Sequence, residues 1–152
     1  MLRASLFATS LVLFSSLLVL SPDAPADGDA AVSPATPVRR FVRVPAPNGI
    51  QIRRYNKTKG ASPGKKDRVV VHYHGTLEDG TVFDSSVERG QATVFQMKKV
   101  VPCWQEALPL LHVGEEARLT CPPETAYGAK GSPPKVPPWE TLTFEIELIG
   151  IH

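Results

Sequence analysis

The chain has little of what nucleophilic or metal chemistry is usually built from. Only two cysteines and four histidines occur in 152 residues. His72 and His74 form a His-x-His pair on one face of an expected strand, a spacing metals use, but no third or fourth ligand with suitable spacing accompanies them. The plainer reading is a solvent-facing pair, and no metal is expected. The glycines stand singly or in turns rather than in a phosphate-cradling loop, so nucleotide chemistry is not expected. Neither Cys103 nor Cys121 has a convincing His and Asn or Asp context for a cysteine nucleophile. No cofactor is called for. Long helical patterns are also missing. Fifteen prolines, about twice usual usage, break helices and central strands and argue for frequent loops rather than a bundle.

What is present is first of all a soluble composition, 42% hydrophobic and 21% charged, over a length that suits one ordinary domain. The net charge of +2 conceals a strong asymmetry: residues 39–68 carry ten Lys and Arg against one Asp, whereas residues 69–152 carry six against eleven acids. At the start, Arg3 precedes a 15-residue apolar run, Leu6 to Leu20. As a helix that run would reach ~22 Å, short of a ~30 Å hydrocarbon core. With the small residues of Ala24-Pro25-Ala26 behind it, it reads as a leader over 1–26 of an exported protein, periplasmic or secreted, whose only membrane contact is transient. Residues 27–47 are expected to be a disordered Pro/Ala/Asp/Ser linker and residues 48–152 the folded domain. The basic stretch could meet a polyanion or anionic lipid. A solvated strand edge and turn is the plainer reading, and no nucleic-acid partner is expected.

From Asn48-Gly49 onward the pattern is that of strands and turns. Val69, Val71 and Tyr73 alternate with Val70, His72 and His74; Ala117, Leu119 and Cys121 alternate with polar neighbours; so do Leu142, Phe144, Ile146 and Leu148. Glu78-Asp79-Gly80 marks a hairpin. The one good helix begins at Pro102 and places Trp104, Leu108 and Leu111 on one face, with Pro109 limiting it. The expected fold is α+β: a curled antiparallel sheet of about five to six strands around one short α-helix. Two cysteines in an exported chain leave open either a Cys103–Cys121 disulfide or two buried thiols. Tyr73, Phe83, Trp104, Tyr127 and Phe144 all fall on inward phases. They are either plain core or an apolar cup with Asp84 at its rim, a shape suited to an uncharged ligand.

The segments VVVHYHGTLEDGTVFDSS (69–86), Arg89-Gly90, VVPCWQEAL (100–108), VGEEARLT (113–120), PPETAYG (122–128) and PPWETLTFEIEL (137–148) resemble the FKBP-type peptidyl-prolyl cis-trans isomerases. The wording around Arg89 and Val100 resembles the bacterial macrophage infectivity potentiator-like branch. The likeness runs over roughly 48–151. It implies the FKBP fold and rotamase activity (EC 5.2.1.8) on X–Pro bonds of unfolded or partly folded polypeptides, serving the folding of exported proteins. It also implies affinity for the macrolides tacrolimus and rapamycin. Carried over residue by residue, it implies a catalytic set of Tyr73, Phe83, Asp84, Trp104, Tyr127 and Phe144. Arg89, Phe95, Val100 and Val101 would bind substrate, Trp104 would be the floor of the pocket, and Asp84 would sit near Arg89 and the Tyr127 hydroxyl. The sequence departs from the family at Cys103, Thr93, Ser132, the Pro133-Pro134 pair and Lys135. The alternative is a non-catalytic module, or a periplasmic chaperone, that grips proline or apolar segments in the same cup.

Overall fold

Two long strands, β3 (Arg68–Thr76) and β7 (Leu142–Ile151), lie side by side and carry the sheet of the computed structural model, which describes residues 39–152. Their alternation does what antiparallel pairing requires. Val69, Val71 and Tyr73 of β3 and Leu142, Phe144, Ile146 and Leu148 of β7 are buried, while the residues between them face outward. On the β7 side follow β6 (Glu116–Cys121), β2 (Gln51–Arg54) and β1 (Val42–Val44); the far edge of β3 carries β4 (Val82–Ser85) and β5 (Thr93–Gln96) in succession.

Among the described residues the sheet therefore has seven strands, not five to six. One of the additional strands, β1, falls inside the stretch expected to be linker. Asn48 and Gly49 both adopt left-handed backbone, at φ 55° and 72°, the geometry of a tight hairpin turn, and it folds Val42–Val44 back onto β2. β1 is a strand of three residues lying ahead of residue 48. The expected leader, and the linker as far as residue 38, lie outside the described residues. Among the described residues no helix is long and apolar enough to cross a membrane.

The helix α1 (Pro102–Ala107) starts where Pro102 occupies the first turn at no hydrogen-bond cost, and it tightens into a 3-10 turn, Leu108–Leu110, around Pro109. It buries Cys103, Trp104, Ala107, Leu108 and, past the turn, Leu111 in a core shared with Ile52, Val71, Leu119 and Leu148. Each fully buried Leu contributes about 1.5–3 kcal/mol. A disulfide joins Cys103 to Cys121 across 5.7 Å between Cα atoms, fastening α1 to the end of β6. The basic segment after β2 is held against the β6 approach by Glu115, whose buried carboxylate accepts the N–H groups of Thr58 and His112, both at 3.1 Å, and faces Arg54 at 3.5 Å. Burial pushes that carboxyl up, but these donors and the arginine hold it below its ordinary value.

Candidate functional site

The site is assembled where the edge pairing of β3 breaks. β4 and β5 pair with successive parts of β3, so residues 86–92 between them leave the sheet. Ser86 pins the start of that excursion. It is fully buried, its N–H donates to the Tyr73 carbonyl at 2.9 Å, and its hydroxyl accepts the Tyr73 N–H at 2.8 Å. The loop thereby brings Arg89 over the ring of Tyr73, 5.6 Å from its centroid.

A bulge does the rest. Gly75 pairs with Asp84 and Thr76 with Val82, which leaves Phe83 as an extra residue on β4. Alternation alone puts Asp84 on the face opposite Phe83; the bulge lets both point to the concave side. Gly75 gives Phe83 its place, because a Cβ there would lie 2.7 Å from the Phe83 ring and 3.1 Å from that of Phe144.

The concave face is an aromatic cluster centred on Trp104, whose ring meets those of Tyr73, Phe95 and Phe144 edge to face at 5.5, 5.4 and 5.2 Å. Phe83 meets Phe144 at 5.6 Å. The indole Nε1 is buried and has no partner among the described residues. Above the cluster opens a depression of about 190 Å³ lined by Tyr73, Phe83, Asp84, Phe95, Val100, Val101, Trp104, Tyr127, Phe144 and Lys99. Every residue carried over from the resemblance is in this lining except Arg89, which stands behind Asp84. Lys99 is the addition. No periodicity marks it; its only signal is its position next to Val100.

The polar side of the cup is a three-membered cluster. The Tyr73 hydroxyl donates to Asp84 Oδ2 at 2.5 Å, while Arg89 donates to Asp84 Oδ1 at 2.5 Å and to the Tyr73 oxygen at 2.8 Å. Burial raises the Asp84 carboxyl, but the hydrogen bonds from Tyr73 and Arg89, aided by the charges of Arg89 and Lys135, bring it below its ordinary value. Burial, reinforced by the Asp84 hydrogen bond, pushes the Tyr73 phenol up. The cluster thus stays as an ionised Asp, a neutral Tyr and a charged Arg, and none of the three is poised for proton transfer. The hydroxyl that Asp84 holds is that of Tyr73, not Tyr127, whose placement on a loop start gave it no strand register. Tyr127 is 40% exposed, and among the described residues its hydroxyl has no hydrogen-bond partner. Burial first, and then the nearby Asp84 charge, raises its phenol.

His72 and His74 face the hydroxyls of Ser86 and Ser85 at 3.1 and 3.0 Å. Among the described residues no cluster of three or more His, Cys, Asp or Glu side chains could hold a metal. At the start of α1 the Val101 N–H finds no protein acceptor among the described residues. Arranged this way, the site can enclose an apolar ring on aromatic walls and offer a hydroxyl, a backbone donor and a neutralised carboxylate at its edge. Its lining holds no serine, cysteine or histidine among the described residues.

Residues 59–149 match the model of the FKBP-type peptidyl-prolyl cis-trans isomerase family. The FKBP-type 22 kDa peptidyl-prolyl cis-trans isomerase of Escherichia coli is 51% identical over 104 residues, 68% of this chain and 50% of that protein. FK506-binding protein 1A of Emericella nidulans is 45% identical over 107 residues, and the match covers 68% of this chain and 99% of that protein. Further matches include outer membrane protein MIP of Legionella longbeachae. A crystal structure of a Pseudomonas syringae peptidyl-prolyl cis-trans isomerase superposes with a TM-score of 0.67 at 35% identity, covering 72% of this chain and 80% of that one. The chain spans about half the length of the Escherichia coli relative. The matched segment contains β3 to β6, α1, all but the last two residues of β7 and every residue of the aromatic cup, and the chain belongs to the FKBP-type peptidyl-prolyl cis-trans isomerase family.

Proposed function

We propose that this protein catalyses cis–trans isomerisation of X–Pro peptide bonds, with the prolyl ring seated on Trp104 and its peptide carbonyl received at the Val101 N–H. The observation that carries this reading is the cup itself. Tyr73, Trp104 and Phe144 are each 4% exposed and Phe83 9%, yet together they line an open depression of about 190 Å³, where a mere core would have closed over them. The coverage of 99% of a small FK506-binding protein supports it, since a domain of this extent makes up nearly all of that relative.

The chemistry needs no covalent step. Amide resonance sets a barrier of ~18–20 kcal/mol, and the twisted transition state has lost that resonance and with it much of the carbonyl's polarity. An apolar, water-poor cup destabilises the polar planar amide relative to the twisted one, which is differential binding of the transition state. Fixing the ring while the preceding carbonyl rotates removes orientation entropy beforehand. Together these are asked to supply ~6–8 kcal/mol, roughly 10⁴–10⁶-fold. Tyr73, Asp84 and Arg89 hold the wall in place, and Tyr127 orients the peptide.

Further parts of the reading are export and clients. The Leu6 to Leu20 run, with a cleavage site near Ala24 to Ala26, supports a leader removed on export, and the Cys103–Cys121 bond suits an oxidising compartment. The clients would be proline-containing chains still folding there, and tacrolimus and rapamycin would compete for the same cup. The test is the isomerisation rate of an X–Pro tetrapeptide in a protease-coupled assay, with and without rapamycin. Acceleration that rapamycin abolishes is expected; a folded protein with no effect above the thermal rate would overturn the reading and leave a binding module.

A further inference from the structure

Beside the prolyl depression lies a second one, of about 350 Å³, and the two share Phe83, Asp84 and Tyr127. The remaining lining of the second is the loop Ser132 to Val136. This loop is held closed: the Ser132 N–H donates to the Val136 carbonyl at 2.9 Å and the Val136 N–H to the Ser132 carbonyl at 3.0 Å. Val136 at its base is 2% exposed and packs in the hydrophobic core, which ties the loop to the wall of the cup. Lys135 stands on that tip, exposed, and among the described residues it makes no ion pair or side-chain hydrogen bond. Lys99, on the lining of the prolyl depression, is likewise exposed and without a carboxylate partner among the described residues.

The charges do not balance at this place. Among the described residues Asp84 is the one acid in either lining, and both its oxygens are already taken, by Tyr73 and Arg89. Two ammonium groups remain, and because the two depressions share Phe83, Asp84 and Tyr127, a peptide whose proline fills the first can lay a neighbouring residue across the second. We propose that the Ser132–Val136 loop forms a subsite for an acidic side chain next to the bound proline, with Lys135 as the residue that sets this specificity. The inference rests on the first depression being the prolyl site. It concerns substrate choice only, since an exposed ammonium has no part in twisting the amide. Electrostatics at such a rim acts through both encounter and binding, and salt weakens it.

The test compares kcat/KM of the full chain, at low ionic strength, on two isosteric peptide pairs: Ala-Glu-Pro-Phe against Ala-Gln-Pro-Phe, and Ala-Ala-Pro-Glu against Ala-Ala-Pro-Gln. One exposed ion pair should favour the Glu member of at least one pair by roughly two- to fivefold. The preference should shrink in 0.5 M salt, vanish in Lys135→Met and reverse in Lys135→Glu, while Lys99→Met retains most of it. Wild-type protein that accelerates Glu and Gln peptides equally overturns the subsite but leaves the isomerase reading intact. A preference that survives Lys135→Met, or is lost in Lys99→Met instead, overturns the assignment to Lys135. No acceleration of any peptide overturns this inference together with the reading beneath it. Melting temperature measured on each variant confirms that all are folded.

Discussion

Gly75→Ala changes no residue whose side chain lines the cup, yet it should damage the cup. The added Cβ would lie 2.7 Å from Phe83 Cζ, 2.9 Å from its Cε1 and 3.1 Å from Phe144 Cε1. Ordinary contact begins near 3.4 Å, so the Phe83 ring must retreat by about 0.7 Å, and Phe144 by less. The backbone itself is not the obstacle, since Gly75 is not among the residues with positive φ. Alanine in a strand gains about 0.5–1 kcal/mol over glycine from reduced chain entropy. Overpacking costs about 1–3 kcal/mol. The net is a loss of about 0–2.5 kcal/mol, or a fall in melting temperature of up to several degrees for a domain of this size. Activity should suffer more, because a wall shifted by a large fraction of an ångström no longer fits the ring it encloses; a loss of about ten- to a hundredfold in kcat/KM is expected. The assay is X–Pro isomerisation beside thermal unfolding on the same samples. Full activity with an unchanged melting temperature would refute the placement of Phe83 against Gly75, and with it the bulge that sets Phe83 and Asp84 on one face.

Tyr127→Phe keeps the ring and removes a hydroxyl that has no described protein partner, so melting should stay within about a degree. Turnover or macrolide affinity should fall about two- to tenfold, the value of one hydrogen bond; an equal loss of stability would make Tyr127 a packing residue. Because Asp84 is depressed in the folded state, its ionised form adds stability above the unfolded-state value, and that part is lost as the pH falls through the folded-state value. The melting gap between wild type and Asp84→Asn should therefore hold steady at neutral pH and narrow on acidification, and a gap that widens would contradict the cluster. Removing the Cys103–Cys121 bond, by reduction or by a Cys103→Ala/Cys121→Ala double variant, opens a loop of 18 residues' separation. It should cost about 3 kcal/mol, whereas identical melting in oxidised and reduced protein would mean that the bond does not form.

The parts of the fold legible in the sequence were those with a strict period. β3, β6 and β7 alternate cleanly because one face packs on α1 and the other meets water, and Pro102 and Pro109 bracket the helix between them. Tyr73, Trp104 and Phe144 sit on those elements and fall on their inward phases, whereas Phe95, Val100 and Val101 entered only through the resemblance to the family. What stayed hidden had no period to show. β1 and β5 are only three and four residues long and lean on pairing rather than pattern. The Phe83 bulge is a register shift, which alternation by its nature cannot express; for that reason the Tyr73 hydroxyl as the partner of Asp84 emerges only in three dimensions. Ser86, buried and bonded twice to Tyr73, and Lys99, exposed at the rim, look in the sequence like any other serine and lysine.

An isomerase cup lowers the barrier to rotation about the X–Pro bond, whereas a binding module merely grips the proline. Exchange spectroscopy by NMR reads that rotation directly, by following the cis and trans resonances of an X–Pro tetrapeptide with the protein at a small fraction of its concentration. With a catalytic cup, exchange cross-peaks appear with wild-type protein, vanish with rapamycin and weaken strongly in Trp104→Leu. Resonances that broaden on binding while cis and trans interconvert at the thermal rate would contradict it.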